Sequence, residues 1–302
     1  MTNEFDRRCG FVAVLGATNV GKSTLINRIV GTKVSIVSPK VQTTRTRVLG
    51  IHIAGPAQLV FIDTPGIFKP RRRLDRAMIA AAWEGAAEAD TLLLIVDAAR
   101  KTVDTDTRHI VGCLATSTRK AILVLNKVDL ADKRSLLALS AELNATNVFT
   151  TTFMISALTG DGVGDIVGHL AETAPEGPWH FPEDQISDMP QRLLAAEITR
   201  EQLYLQLRQE LPYAATVETE FWEEKDDGDV LIRQVIFVER ASQRGIILGK
   251  GGRRIKTLGE TARGELERLF DRRVHLFLFV KVRPGWGDDP ERYRDWGLDY
   301  DA

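Results

Sequence analysis

Cysteine is close to absent. Cys9 and Cys113 are the only two among 302 residues, far apart and outside any CxxC or His-rich neighbourhood. Neither a disulfide framework nor a thiolate zinc site is expected, and both thiols are read as free. Long apolar runs are missing as well: stretches such as TLLLIV at 91–96 stop far short of the ~20 residues a bilayer-spanning helix needs. No transmembrane helix is expected. The opening MTNEFDRRCG has no apolar core and carries two acids among its first six residues, which fits neither a secretory signal nor an acid-poor transit peptide. A cytoplasmic chain is the expectation. Internal repeats and low-complexity tracts are also lacking, which excludes solenoids and disordered arrays.

What is present is a globular composition, 44% hydrophobic and 27% charged, over a length that suits two domains of ~150 residues. The net charge of −1 hides an asymmetry. Residues 176–240 hold 15 acids and 6 bases, residues 241–283 hold 4 acids and 11 bases, and residues 284–302 hold 6 acids and 2 bases. One block is therefore strongly basic between two acidic ones, a pattern that suits a polyanionic partner.

The first part alternates continuous apolar strands with helical patterns. Strands are expected at 11–15, 46–53, 58–63, 91–96, 121–125 and 149–155, and helices from Lys22 to about Val30 and over 74–88, 104–115, 132–144 and 163–172. Strands without polar alternation are buried on both faces, so a mostly parallel sheet covered by helices is expected, an α/β domain over 1–175. The next stretch, APEGPWHFPEDQISDMP at 174–190, has four prolines in 17 residues and no periodicity, and 176–190 reads as a linker. A smaller α+β domain follows over 191–286 in the order α-β-β-α-α-β: a helix at about 190–208, strands at 214–222 and 230–239, helices around 242–248 and to about 270, and a strand at 273–282. Residues 287–302 form an acidic tail.

GATNVGKS at 16–23 matches G-x4-GK[ST] after a strand and at the opening of a helix, which is the context a P-loop requires. Glycines there let backbone N–H groups face phosphate oxygens, with Asn19, Val20, Gly21, Lys22, Ser23 and Thr24 as the cradle. Lys22 is placed to reach the β- and γ-phosphates, and Ser23 to ligate magnesium. DTPG at 63–66 ends a strand, so Asp63 can reach the magnesium through water and the Gly66 N–H can meet the γ-phosphate. NKVD at 126–129 follows the strand 121–125. The Asp129 carboxylate offers two acceptors to the adjacent N1–H and 2-amino donors that guanine has and adenine lacks. Asn126 and Lys127 belong to the same motif, and ISAL at 155–158 brings the backbone of Ser156, Ala157 and Leu158 toward the guanine oxygen. Four motifs in this order point to GTP and GDP with Mg2+. A P-loop metabolic kinase is disfavoured by NKVD.

A second glycine-rich loop, LGKGGRRI at 248–255, lies between two helices, and no GK[ST] follows it. Gly249-Lys250-Gly251-Gly252 fits GxxG, and the element order around it resembles the type II KH module, whose loop approaches a single-stranded RNA backbone. Lys250, Arg253, Arg254 and Lys256 supply charge that releases counterions on binding. The bland alternative is a helix-turn-helix joint with a solvated basic face. Phe277 and Phe279, alternating with Leu276 and Leu278, read as core rather than as base-stacking platforms. His275 reads as a packing or edge-capping residue, and KPRRR at 69–73 as a solvated basic run.

The first domain looks like a translation-factor-class GTPase, with QTTRT at 42–46 matching its first switch segment. On that resemblance Thr44 is the threonine that closes on magnesium when the γ-phosphate is present, with Thr43 as the fallback. Ile67 stands where Ras-like proteins have the glutamine that orients water, so slow intrinsic hydrolysis is expected and no general base is assigned. Magnesium, Lys22 and the loop N–H groups, that of Gly66 included, are left as the stabilisers of transition-state charge. In similar GTPases lacking that glutamine, an asparagine at the place of Asn19 can hold a potassium ion. The other reading of Asn19 is a turn residue tolerating positive φ, and both stand.

Over about Gly10 to Trp286 the chain resembles the Era-like family of bacterial GTPases, through GATNVGKSTL, QTTRTRVLGIH, DTPG, NKVD, ISA, HFPEDQISD and GIILGKGGRRIK. It departs at Ala17-Thr18, where that family commonly has Arg-Pro; neither supplies a side-chain ligand. The resemblance implies a monomeric GTPase that binds the 3′ region of 16S rRNA and assists assembly of the small (30S) ribosomal subunit, with peripheral contact at the inner membrane. A nucleotide-gated protein scaffold whose GxxG loop touches no RNA is the alternative.

Overall fold

The computed structural model describes residues 6–40, 43–100, 102–207 and 211–302. They form two compact units: residues up to Ser35 with Thr44–Asp188 and Tyr293–Ala302, and Ile36–Thr43 with Met189–Arg292.

The first unit is built on six strands in the order β2-β3-β1-β4-β5-β6, namely β1 (Arg8–Leu15), β2 (Val48–Ala54), β3 (Ala57–Asp63), β4 (Thr91–Asp97), β5 (Ala121–Asn126) and β6 (Phe149–Ile155). Every pairing is parallel except β2 with β3. Gly55-Pro56 alone joins Ala54 to its partner Ala57, and so short a connection admits only an antiparallel neighbour. All seven residues of β3 are buried. Leu59 and Phe61 enter the core on one face with Leu25 and Ile26 of α1 (Lys22–Val30), while Val60 and Ile62 enter the core on the other with Ala82 and Ala86 of α2 (Arg73–Glu88). The two-residue repeat of a strand thus serves two cores at once. Three further helices, α3 (Thr105–Thr116), α4 (Lys133–Asn144) and α5 (Val163–Thr173), complete the layers.

The stretch read as a linker is largely part of this unit. Gln58, fully buried, accepts from the N–H groups of His180 and Phe181 at 2.9 and 3.0 Å and donates to the Phe181 carbonyl at 2.8 Å. Ile51 N–H donates to the Ile186 carbonyl and Leu49 N–H to Asp188 Oδ1, both at 2.9 Å. Proline removes periodicity without removing packing: the segment pairs its remaining polar groups with β2 and β3.

The second unit has a three-stranded sheet, β7 (Ala215–Glu224), β8 (Val230–Val238) and β9 (Val274–Val282), with β7 and β8 antiparallel and β8 and β9 parallel. Its helices are α6 (Gln191–Gln206), α7 (Ala241–Leu248) and α8 (Arg253–Phe270). Residue 208, where the α6 pattern was expected to end, lies outside the described residues. Leu258, Ala262 and Leu266 recur every fourth position and are the buried face of α8. Ile36, from the excursion Ile36–Thr43, is buried in the same core as Ala195 and Ile198 of α6.

Two expectations are corrected here. Phe277 and Phe279 are 49% and 50% exposed, because alternate residues of β9 face away from the helices; Leu276 and Leu278 are the ones packed on the core. The tail is more than acidic: Tyr293, within α9 (Pro290–Asp295), and Leu298 beyond it are buried with Ala77 and Met78 of α2 in the first unit. Charge counting missed the apolar residues spaced between the acids.

Candidate functional site

The loop 16–21 runs from β1 into α1. Gly21 has φ 102°, and a Cβ there would stand 2.3 Å from the Asn126 amide nitrogen, so glycine is required on both counts. Lys22 folds back over the loop, donating to the carbonyls of Gly16 at 3.1 Å and Ala17 at 2.8 Å. Burial pushes its ammonium down to about 8, against the upward pull of the Asp63 carboxylate. Thr24 lies in the first turn of the same helix.

Ser23, Asp63 and Thr44 converge. Ser23 Oγ donates to Asp63 Oδ2 at 2.7 Å, Thr44 Oγ1 lies 3.1 Å from Ser23 Oγ, and Thr44 Oγ1 donates to Asp63 Oδ2 at 3.3 Å. Asp63 is fully buried, which raises its carboxyl above the ordinary range although the Ser23 hydroxyl works the other way. Its Oδ1 has no hydrogen-bond partner among the described residues. A buried carboxylate oxygen without a partner, beside two hydroxyls, is a donor set that suits a hard divalent cation. Gln42, the first residue of QTTRT, lies outside the described residues, while Thr43 belongs to the second unit and Thr44 to the first.

Gly66 packs against the loop so closely that a Cβ would approach Thr18 Cγ2 to 2.8 Å. Ile67 donates its N–H to the Gly16 carbonyl at 3.1 Å and buries its side chain in the core, 1% exposed. The side chain after DTPG thus points away from the cradle and supplies no water-orienting group.

The NKVD motif divides its labour. Asn126 donates to the Val20 carbonyl at 2.8 Å and accepts from the Ala157 N–H at 2.9 Å, clipping the phosphate loop to the ISAL loop. Lys127 adopts a left-handed φ of 68° and sends Nζ to the Asn19 carbonyl at 2.8 Å and Asp97 Oδ2 at 2.6 Å. Asn126 and Lys127, expected at the nucleotide, are here braces of the loop that holds it. Asp129 is exposed in the 3-10 turn Val128–Leu130, available for a base. Ser156 Oγ accepts from the Thr159 N–H at 3.2 Å, and Leu158 is 69% exposed. Asn19 has φ 63°, the turn geometry, and this neither requires nor forbids an ion. Asp97 was not singled out from the sequence; it ends β4 as Asp63 ends β3, and that parallel was the available signal.

In the second unit, Gly249, Gly251 and Gly252 have φ of 71°, 61° and 77°, and a Cβ on Gly249 would meet Arg254 Cβ at 2.7 Å. The loop is closed by Arg254 Nη1 donating to the Ile246 carbonyl at 2.6 Å. Lys250, Arg253, Arg254 and Lys256 are exposed around it, Lys256 being 4.0 Å from Glu260. His275 Nε2 lies 2.7 Å from Asp229 Oδ2, an edge pair.

Residues 11–127 match the family model described as 50S ribosome-binding GTPase, and residues 210–287 match the KH domain model. GTPase Era of Rhizobium meliloti (strain 1021) is 60% identical over 293 residues, 97% of this chain and 93% of that protein. The chain belongs to the Era family of GTPases. Era of Brucella suis biovar 1 (strain 1330) is 56% identical over 299 residues, covering 99% of this chain and 96% of that one. Among solved structures, Era in complex with MgGDPNP and nucleotides 1506–1542 of 16S ribosomal RNA matches at a TM-score of 0.90 with 39% identity, over 96% of this chain and 99% of that one. An Aquifex aeolicus Era variant bound to GDP·AlF4− matches at 0.90 with 40% identity and the same coverage. As an Era-family GTPase the chain binds guanine nucleotides and hydrolyses GTP, on a P-loop domain followed by a KH domain. No helix among the described residues is long and apolar enough to cross a membrane.

Proposed function

We propose that this GTPase is a magnesium-dependent switch that binds the single-stranded 3′ region of 16S rRNA through its KH loop and assists maturation of the 30S subunit, acting in the cytoplasm where that RNA is. The observation that carries the reading is the Era complex holding MgGDPNP and nucleotides 1506–1542 of 16S ribosomal RNA, together with a GxxG loop here whose four basic side chains stand exposed. Ser23 and Thr44 would hold magnesium directly and Asp63 through water; the ion supplies charge neutralisation at the β- and γ-phosphates. Lys22 and the N–H groups of the loop and of Gly66 orient the γ-phosphate and stabilise charge as it develops on its oxygens. With Ile67 in the core, hydrolysis relies on positioning and charge stabilisation without a water-orienting side chain at that place, and is slow.

The test is a crosslink of RNA to the full chain in cells, with the bound fragments mapped. It is joined to a variant carrying Lys250→Glu and Arg253→Glu. The reading expects fragments from the 3′ end of 16S rRNA, their loss in the variant, and GTP affinity within about two-fold of wild type, since surface changes remote from a site are nearly additive. Retained crosslinking in the variant would favour the protein scaffold.

A further inference from the structure

Among the described residues Arg200 is the largest fully buried side chain, 1% exposed, in the second half of α6. A guanidinium in the interior forfeits the hydration of a permanent charge, and a buried ion pair seldom offsets that loss better than an apolar side chain would. Its place calls for a reason other than stability.

The contacts supply one. Arg200 Nε donates to Glu197 Oε1 at 2.7 Å, and Nη2 also pairs with Glu197 Oε2. Its guanidinium carbon stands 5.3 Å from the centre of the Tyr204 ring. These hold the group in place. Nη2 then donates at 2.6 Å to the backbone carbonyl of Thr43. Neighbouring residues fasten the same strand of chain: Glu201 Oε1 accepts from the Val37 N–H at 2.8 Å, and Lys40 Nζ donates to the carbonyls of Tyr204 and Leu207 at the end of α6. A cation at a helix C-terminus satisfies carbonyls that have no partner within the helix.

Thr43 is the last residue of this excursion, and the next residue is Thr44. The peptide bond between them is planar, so the Thr43 carbonyl oxygen, the Thr44 nitrogen and the Thr44 Cα move as one rigid plate. Holding the oxygen restricts where the Thr44 side chain can begin. That side chain ends 3.1 Å from Ser23 Oγ and 3.3 Å from Asp63 Oδ2.

We infer that Arg200 is a positioning residue of the nucleotide switch, restricting the Thr44 hydroxyl through the hydrogen bond it makes to the Thr43 carbonyl. This rests on the reading of Thr44 as the residue that closes when GTP is bound. A ligand shifts an equilibrium only by its differential affinity for the two states. Arg200 therefore acts on the preference for a GTP analogue over GDP, and leaves the affinity for GDP, which lacks the γ-phosphate, unchanged.

The experiment uses the full chain with Arg200→Met, which keeps bulk and removes the donors, Arg200→Lys, which keeps one charged donor, and Thr44→Ala. Affinities for GDP and for a non-hydrolysable GTP analogue are measured by fluorescent-nucleotide displacement with magnesium and with EDTA. Amide hydrogen exchange of residues 40–48 is followed alongside. Arg200→Met is expected to lower the analogue-to-GDP ratio roughly ten-fold in magnesium, a coupling of ordinary size, and to speed exchange at the Thr44 amide. Arg200→Lys is expected to fall between it and wild type. If Arg200→Met fails to bind GDP at all, its fold is lost and Arg200→Lys decides: a ratio several-fold below wild type supports the inference, and a wild-type ratio overturns it. A wild-type ratio in a folded Arg200→Met while Thr44→Ala loses it overturns the inference and leaves the site intact. A wild-type ratio in Thr44→Ala overturns the reading beneath.

Discussion

Asn126 reaches the Val20 carbonyl with its side-chain amide at 2.8 Å, so the end of β5 is fastened to the phosphate loop. Its oxygen simultaneously takes the Ala157 N–H, so one side chain sets the distance between the loop for the phosphates and the loop for the base. Asn126→Ala leaves both partners without their bonds in a buried place, at about 1–3 kcal/mol each. Affinity for GTP and GDP is expected to fall together, by roughly ten-fold or more, with the choice of base unaltered. Titration with GDP and with its inosine analogue measures both quantities; a selective loss of one base would contradict the bracing role.

Asp129 is exposed and carries two acceptor oxygens, so it is free to read the base. Asp129→Asn presents a donor where xanthine offers an oxygen. The variant is expected to prefer xanthosine triphosphate and to lose affinity for GTP by on the order of a hundred-fold or more, as buried polar recognition does when one partner is mismatched. Competition between the two triphosphates decides it.

Lys22 carries a penalty that nucleotide relieves. Burial lowers its ammonium from 10.5 to about 8, so the folded chain without nucleotide holds this proton less tightly than the unfolded chain. The penalty is full below about 8 and fades as pH climbs through 10.5, above which neither state is protonated. Lys22→Met is expected to make the nucleotide-free chain more stable at pH 7 by on the order of 2 kcal/mol, since one pKa unit is worth ~1.4 kcal/mol and two backbone bonds are lost. That advantage should shrink across pH 8 to 10.5 while nucleotide binding is abolished. Urea unfolding of both proteins across pH checks the sign: an advantage that grows with pH contradicts it.

Tyr293 is fully buried against α2, and Arg73 stacks 4.2 Å from the Tyr300 ring beyond it. Removing a buried aromatic side chain costs about 3–5 kcal/mol, but a terminal segment can detach without the rest. Tyr293→Ala is therefore expected to expose residues 294–302 to protease while the six-stranded sheet keeps its melting temperature to within a few degrees. Limited proteolysis with mass spectrometry reads the first, calorimetry the second.

Local signals made much of this legible. The P-loop, DTPG and NKVD are short, each needs its neighbours in sequence, and the strands that carry them are apolar throughout, so β3, β4, β5 and α1 emerge within a residue or two of their bounds. What escaped was set by partners distant in sequence. Gln58 looks like any strand glutamine until His180 and Phe181 come to it. Phe277 and Phe279 share an alternation with Leu276 and Leu278, and periodicity cannot say which face the helices cover. Arg200 reads as one more charge on a helix; its burial follows from Glu197 beside it and Thr43 far upstream.

The excursion Ile36–Thr43 also bears on how the RNA-binding unit can be prepared alone. A fragment cut at Met189 would leave behind Ile36, which seals Ala195 and Ile198, and Lys40, which caps α6. Such a fragment would open an oily seam along its first helix and invite self-association. A stand-alone version would need the octapeptide grafted back, or apolar positions on α6 redesigned to face water.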